Sequence, residues 1–278
     1  MTKLTDSIRF LSGLTFCILL SFSASASQKP LIILDPGHGG EDTGTIQIYH
    51  HGKTNEKVFE KNIALTIADK TKASLQRLGF EVLLTRKEDK FTDLDERTKI
   101  ARQLVAKYPN RYISFVSIHL NSDKNLSSQG IEAYVFNATT NDASVKMAEI
   151  ENGSKRVAQH GILNLIFADL SASGNYLDSV NLACSLTTSL SQGSFFRNRG
   201  VRQGLFFVLM DSTLPSVILE IGFMSSPKEL EKLLNPLFQN SIASRIALSI
   251  QSEHHRQTRI KRSSLAMSGI KKAACKPQ

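Results

Sequence analysis

Two histidines and two glutamates in this chain are placed where their side chains could do chemistry together. His38 follows one continuous apolar run, His119 ends a second, and Glu220 ends a third. Glu60 opens a segment whose apolar residues recur at helical spacing. Because the carboxyl ends of parallel strands meet at one edge of a sheet, we expect His38, His119 and Glu220 to converge there.

Two imidazoles and one carboxylate are the ligand set of a catalytic zinc ion that keeps its fourth position open. Such an ion lowers the pKa of a bound water to about 7 and polarises a carbonyl group. A second carboxylate that is not a ligand can take up the proton and pass it to a leaving amine. Four residues therefore suffice for hydrolysis of an amide bond without a covalent intermediate.

Each of these residues alone also has an ordinary structural explanation. A single histidine is commonly a hydrogen-bonded core residue, and Glu60 could simply favour the positive end of a helix. Glu220 is harder to explain in this way, because it lies between Leu219 and Ile221 in an apolar run. An unpaired buried carboxylate is costly, so this position requires a cation or a chemical role.

The segments that must position these residues alternate between strand and helix patterns. Continuous apolar runs predict strands at 31–35, 80–86, 112–120 and 130–136, and helical spacing predicts helices at 60–79 and 92–109. From about 143 to 200 the pattern is helical only. GLFFVLM and SVILEIGF then predict two strands, and two predicted helices follow them. We therefore expect an α/β fold, a single domain whose twisted, mostly parallel sheet is flanked by helices on both faces.

The first 26 residues have the pattern of a secretory signal peptide. Lys3 and Arg9 precede a short apolar core, and Ala24-Ser25-Ala26 is a cleavage signal, so we expect cleavage near Ala26 and export to the periplasm. An uncleaved anchor is the alternative interpretation.

The other end of the chain, residues 252–278, carries seven basic residues and one acidic residue, against a net charge of +9 for the whole chain. We expect a disordered basic tail that is either merely solvated or in contact with an anionic wall or membrane surface. Export argues against nucleic acid as a partner. Cys184 lies in a helical pattern and Cys275 in this tail, and we expect the two to be unpaired.

Six ordered blocks of the sequence resemble a known family: IILDPGHGGEDTG, EKNIALTIA, LLTRKEDKFTDLDERTKIAR, FVSIHLNS, GIEAYVF and PSVILEIGFMSSPKELEKL. They are similar to the zinc-dependent N-acetylmuramoyl-L-alanine amidases of the amidase 3 type, which act in daughter-cell separation. The resemblance runs from about Leu31 to Ser249.

This resemblance implies the roles of individual residues. It implies that His38, Glu60 and His119 bind one zinc ion and that Glu220 is catalytic. The implied substrate is peptidoglycan, cleaved between the lactyl group of N-acetylmuramic acid and the L-alanine of the stem peptide. Glu56 is a competing ligand that matches the family pattern less well. On this basis residues 27–251 form the catalytic domain.

Regulated members of the family carry a helical insertion that blocks the zinc until an activator binds. In this chain the corresponding region, within 143–200, is short: only Lys155–Gly161 lies between the two flanks. We therefore expect a site that is open without an activator, with Glu149 and Glu151 as the alternative, internal blockers. Related division amidases often carry an N-terminal wall-targeting domain; we expect none here, because only a few residues separate the signal peptide from the first strand.

Other interpretations of the same sequence stay open. Ser225 and Lys228 fit the S-x-x-K pattern of penicillin-binding proteins, which would give a serine D,D-carboxypeptidase activity, although a helix start explains them equally well. A wall-binding relative without catalysis is a further alternative. Asp35 could orient a metal ligand or serve a turn, Asn121 could contact substrate or serve a turn, and Arg97 is expected to pair with a carboxylate.

Overall fold

A computed structural model of the chain describes residues 28–52, 54–137, 139, 141–153, 175–210, 213–264 and 275–277. The signal peptide, the segment Lys155–Gly161 and the helical pattern at 157–170 lie outside these described residues. Within the described residues, none of the helices is both long enough and apolar enough to cross a lipid bilayer.

The centre of the molecule is a six-stranded sheet beside a separate two-stranded hairpin. The strands are β1 (Leu31–Pro36), β2 (Ile46–His51), β3 (Thr54–Phe59), β4 (Glu81–Leu84), β5 (Ile113–Asn121), β6 (Ile131–Phe136), β7 (Asn198–Gly204) and β8 (Ser216–Phe223). The sheet order is β4-β1-β5-β8-β6-β7, and β2 pairs with β3 in the hairpin. All neighbours in the sheet run parallel except β6 and β8.

Continuous apolar sequence places four strands in the interior. Every residue of β1, β5, β6 and β8 is buried. A strand that is covered on both faces requires this kind of sequence, because neither row of its alternating side chains meets water. The carboxyl ends of β1, β5 and β8 therefore lie side by side at one edge.

Among the residues that the structure describes, six helices cover the two faces of the sheet. They are α1 (Glu60–Arg77), α2 (Leu94–Lys107), α3 (Asp142–Asn152), α4 (Tyr176–Ser191), α5 (Pro227–Leu234) and α6 (Pro236–Ser264). One core contains apolar residues of α1, α4, α5 and α6, and the other contains residues of α2 and α3. The predicted α/β architecture, with a mostly parallel sheet between helices, is confirmed.

The strand predicted at GLFFVLM is wrong. The edge strand β7 ends at Gly204, and Phe207–Leu209 form a buried 3-10 turn, of which Val208 and Leu209 belong to the core on the α3 side. A polar sequence is tolerated in β7 because this strand pairs on one side only, with β6. Neither β2 nor β3 was expected, because this exposed hairpin has no continuous apolar run.

Two expectations about the carboxyl end are also wrong. Helix α6 continues to Ser264, and Glu253 and Gln257 in the expected tail are buried. Cys184 and Cys275 form a disulfide bond, with Cα atoms 5.9 Å apart. The helix persists beyond residue 251 because its inner side still packs on the domain, and the bridge ties Cys275 to α4.

Candidate metal centre

The loop after β1 holds His38 in a conformation that few side chains adopt. Its φ is +59°, in the left-handed region, alone among the non-glycine residues that the structure describes. Arg97 donates hydrogen bonds to the carbonyls of Pro36 (2.8 Å) and His38 (2.7 Å), and Arg86 donates to those of Pro36 (3.0 Å) and Gly37 (2.8 Å). These two guanidinium groups hold the loop in a conformation that costs roughly 1–3 kcal/mol.

Three donor atoms converge beside this loop. Glu60 Oε1 lies 3.2 Å from His38 Nε2 and 3.3 Å from His119 Nδ1. A tetrahedral zinc ion with ligands at about 2.0–2.1 Å separates those ligands by roughly 3.3–3.4 Å. Both imidazole nitrogens are buried and have no hydrogen-bond partner among the described residues. Their lone pairs therefore fit a divalent cation.

Two backbone N–H groups orient the carboxylate of Glu60. Thr45 N donates to Oε2 and Leu120 N donates to Oε1, each at 2.9 Å. Glu60 is also the first residue of α1, where the helix dipole favours negative charge. The side chain is therefore fixed before any ion arrives, and one oxygen faces the two imidazoles.

Two glycines provide the space for these side chains. A Cβ at Gly37 would lie 2.5 Å from Cε1 and Nε2 of His119, and a Cβ at Gly44 would lie 2.5 Å from His38 Cδ2 and 2.7 Å from Glu60 Oε2. Real Cβ atoms essentially never approach so closely. The glycine-rich sequence therefore lets the backbone come close to the ligands.

Without an ion, the carboxylates hold protons on the imidazoles. Burial opposes the charge of His38, but the carboxylates of Glu60 and Asp42 outweigh burial and raise the pKa of His38 to about 10. Burial likewise opposes the charge of His119, and Glu151 and Glu60 raise its pKa well above the usual range. The cluster attracts positive charge, which a bound metal ion supplies in place of those protons.

Glu220 stands next to the histidine pair in the sheet. It is the register partner of His119 between β5 and β8, it is only 1% exposed, and its Oε1 lacks a hydrogen-bond partner among the described residues. Burial raises the pKa of Glu220 well above the usual range; His119 opposes this shift and the carboxylates of Glu151 and Glu60 add to it. A carboxyl group whose pKa is raised exchanges protons at a pH nearer to neutral than an ordinary glutamate does.

The structure places a further carboxylate, from Glu151 of α3, at the same point. Glu151 Oε2 lies 3.1 Å from His119 Nδ1 and 3.8 Å from His38 Nε2. It also forms a second cluster of possible ligands with His119 and Glu220. The expectation of an open site is therefore wrong for the described structure. The sequence named Glu149 and Glu151 as possible internal blockers; Glu151 reaches the site, whereas Glu149 is exposed.

A second carboxylate orients His38 from outside the ligand set. Both oxygens of Asp42 lie 3.0 Å from His38 Nδ1, the nitrogen that faces away from Glu60. Such a contact fixes the tautomer and orientation of a ligating histidine. The sequence suggested Asp35 for this role. Asp35 instead accepts from Arg97 (2.7 Å) and Ser117 (2.6 Å), which confirms the expected pairing of Arg97.

The remaining residues singled out from the sequence have structural surroundings. Glu56 is exposed on β3 and is not part of either cluster of possible ligands. Asn121 donates to Glu132 (2.7 Å) and accepts from the N–H of Ser122 (2.8 Å). Ser225 accepts from the N–H of Asp123 (3.0 Å) at the turn that precedes α5.

A cavity of about 280 Å³ opens beside the donor atoms, between the loop after β1 and the end of α3. Arg97, His119 and Glu151 line its polar side. Apolar side chains that include Phe91, Leu94, Ile150, Phe206 and Val208 form the other walls. The donor atoms are therefore reached from a cleft large enough for part of a substrate.

A protein family described as N-acetylmuramoyl-L-alanine amidase, the amidase 3 type, matches residues 32–252. The chain belongs to this family. The match includes every residue of the metal cluster described above.

Individual amidases of this family are similar over most of the chain. The chain is 31% identical to the N-acetylmuramoyl-L-alanine amidase AmiA of Escherichia coli, over 82% of this chain and 77% of the relative. It is 31% identical to AmiC of Neisseria meningitidis, over 81% of this chain. The chain spans 52% of the length of that second relative. The amidase AmiC2 of Nostoc punctiforme has a similar structure, with a TM-score of 0.58 and 28% identity over 82% of this chain and 99% of that one.

Proposed function

We propose that this protein is a zinc-dependent hydrolase that cleaves the amide bond between N-acetylmuramic acid and L-alanine in peptidoglycan. The convergence of His38 Nε2, His119 Nδ1 and Glu60 Oε1 within 4.8 Å of one another, next to Glu220, is the observation that carries this proposal. The family and its relatives support the substrate, and the donor set supports zinc.

His38, Glu60 and His119 would hold the ion, one per chain. When bound, a zinc ion activates water as a nucleophile near neutral pH and polarises a carbonyl group. Asp42 keeps the His38 imidazole in the tautomer that leaves Nε2 free to bind. The backbone bonds of Glu60 keep its Oε1 aimed at the same point.

Glu220 would move the proton. Its buried carboxylate accepts the proton of the attacking water and delivers it to the nitrogen of the leaving L-alanine, so that the amine departs neutral. Burial, with the carboxylates of Glu151 and Glu60, provides the raised pKa that this exchange requires. No side chain needs to form a covalent bond with the substrate.

Glu151 would have to leave before substrate binds. Its Oε2 lies 3.1 Å from His119 Nδ1 and 3.8 Å from His38 Nε2, so it would compete with a reacting group for the open position of the ion. Its side chain is 12% exposed, and the proposal requires it to turn outward toward solvent. We retain the prediction that no activator is required. It would be contradicted if the wild-type protein alone did not cleave peptidoglycan while the Glu151→Ala variant alone did.

We also place this activity outside the cytoplasm. Peptidoglycan lies beyond the inner membrane, and the first 26 residues have the pattern of a cleaved signal peptide. By family resemblance, the activity would serve cell-wall remodelling and the separation of daughter cells.

The decisive experiment is mass analysis of muropeptides after digestion with the zinc-loaded protein. The proposal predicts free stem peptides that begin with L-alanine, and a Glu220→Gln variant that binds zinc but yields none. Release of D-alanine instead would support the serine-type activity of Ser225. Binding to sacculi without any product would support a wall-binding relative without catalysis.

A further inference from the structure

A buried carboxylate beside Glu220 has no part in the mechanism above. Glu132 of β6 is the register partner of Glu220 across the antiparallel pair of β6 and β8, and it is 3% exposed. Its Oε1 accepts hydrogen bonds from Asn121 Nδ2 (2.7 Å) and the Tyr134 hydroxyl (2.9 Å). One oxygen of Glu132 is therefore saturated by neutral donors.

The other oxygen is shared by two cations. Glu132 Oε2 lies 2.8 Å from Arg199 Nε and 3.1 Å from Arg202 Nε, both on β7. Two guanidinium groups contact this one oxygen, and we call the two side chains the arginine pair. A guanidinium group has five N–H donors, so one contact each with Glu132 leaves donors that can bind an anion.

Each member of the arginine pair uses only its Nε for Glu132. Within the part of the chain that the structure describes, the terminal amino groups of both arginines donate no hydrogen bond. The side chains are 27% exposed for Arg199 and 18% exposed for Arg202, and the Arg199 guanidinium lies over the Phe223 ring, 4.8 Å from its centroid. A carboxylate is the ligand that such planar N–H forks bind best, in pairs of parallel hydrogen bonds.

The arginine pair lies at the end of a row of side chains that begins at the metal site. His119, Glu220 and Glu132 are successive register partners on β5, β8 and β6, so their side chains form one row on one face of the sheet. Neighbouring strands are about 4.8 Å apart, so guanidinium groups that contact Glu132 lie roughly 5–10 Å from Glu220. An extended peptide covers this distance in about two residues.

The stem peptide has a carboxylate at that separation. Its second residue is a glutamate joined through its side-chain carboxyl group, so the α-carboxylate is free unless it is amidated. We infer that Arg199 and Arg202 form a subsite for this α-carboxylate and make the enzyme selective for the acid over the amide form of the stem. This inference rests on the proposed function, because it places the scissile bond between the metal and Glu220.

Two substrates that differ by one group test the subsite. The zinc-loaded protein is given N-acetylmuramoyl-L-alanyl peptides with either D-isoglutamate or D-isoglutamine at the second position, and kcat/KM is measured for each. A charge-assisted contact predicts a preference of about tenfold or more for the acid. In Arg199→Gln and Arg202→Gln the preference falls toward unity, mainly through a higher KM for the acid.

The control is Arg197→Gln, which removes the same charge from an exposed side chain two residues before Arg199. This control keeps the wild-type preference, and zinc content and thermal unfolding show whether each variant is folded. A wild type that cleaves both substrates equally, or arginine variants that slow both equally, would overturn the subsite alone. Failure of the wild type to cleave either substrate would overturn the proposed function and the subsite with it.

Discussion

Replacing Gly37 by alanine would place a methyl group against the imidazole of His119. The added Cβ would lie 2.5 Å from two ring atoms, whereas carbon atoms pack at about 3.5 Å, so the ring must move by about 1 Å. A displacement of this size at a catalytic site lowers the rate by about 100-fold, or about 2.7 kcal/mol. We therefore expect Gly37→Ala to lose most activity and to bind zinc more weakly.

Gly79→Ala is the matched control for this substitution. A Cβ at Gly79 meets nothing within 4 Å, but its φ of +87° makes alanine strained there. The control should lose about 1–2 kcal/mol of stability and keep its zinc affinity. The assays are zinc affinity by competition with a chromogenic chelator and release of stem peptide. Wild-type zinc affinity and activity in Gly37→Ala would refute the assignment of His119 as a closely packed ligand.

Three further substitutions test other parts of the structure. Asp42→Asn should weaken zinc binding by about 10–100-fold in a chelator competition, because the ligating histidine loses its orienting carboxylate; unchanged affinity would contradict that role. Asp35→Asn should lower the free energy of unfolding by about 3 kcal/mol at pH 7, since it leaves a buried guanidinium unpaired. Burial opposes it, but Arg97 and hydrogen bonds lower the pKa of Asp35 in the folded protein. The difference in unfolding free energy between Asp35→Asn and wild type should therefore persist above about pH 4 and narrow as the pH falls further. A difference that stays constant with pH would contradict this reasoning. Cys184→Ser should lower the unfolding free energy by about 4 kcal/mol, because the bridge joins residues 91 apart. A Cys275→Ser variant whose unfolding free energy differed from that of Cys184→Ser would contradict the pairing.

The sequence predicted those features that depend on local pattern. Continuous apolar runs identified the buried strands, and the parallel arrangement then brought His38, His119 and Glu220 to one edge of the sheet. Glu60 was less certain from pattern alone, because a helix-terminal glutamate is common. Only the family resemblance distinguished it from Glu56.

Features that depend on contacts between distant segments were not predictable in this way. The sequence named Glu149 and Glu151 as possible blockers, but that Glu151 is the one that enters the site depends on how α3 packs beside the metal cluster. The disulfide joins two cysteines without a recognisable motif. The strand at 198–204 has a polar sequence because it pairs on one side only, while the apolar run that follows it packs as a 3-10 turn.

The most direct test of the metal centre is a crystal structure of the zinc-loaded protein with anomalous scattering measured at the zinc edge. The account predicts one strong peak, bonded to His38 Nε2, His119 Nδ1 and Glu60. A peak held instead by His119, Glu151 and Glu220, or the absence of any peak in this cleft, would contradict it.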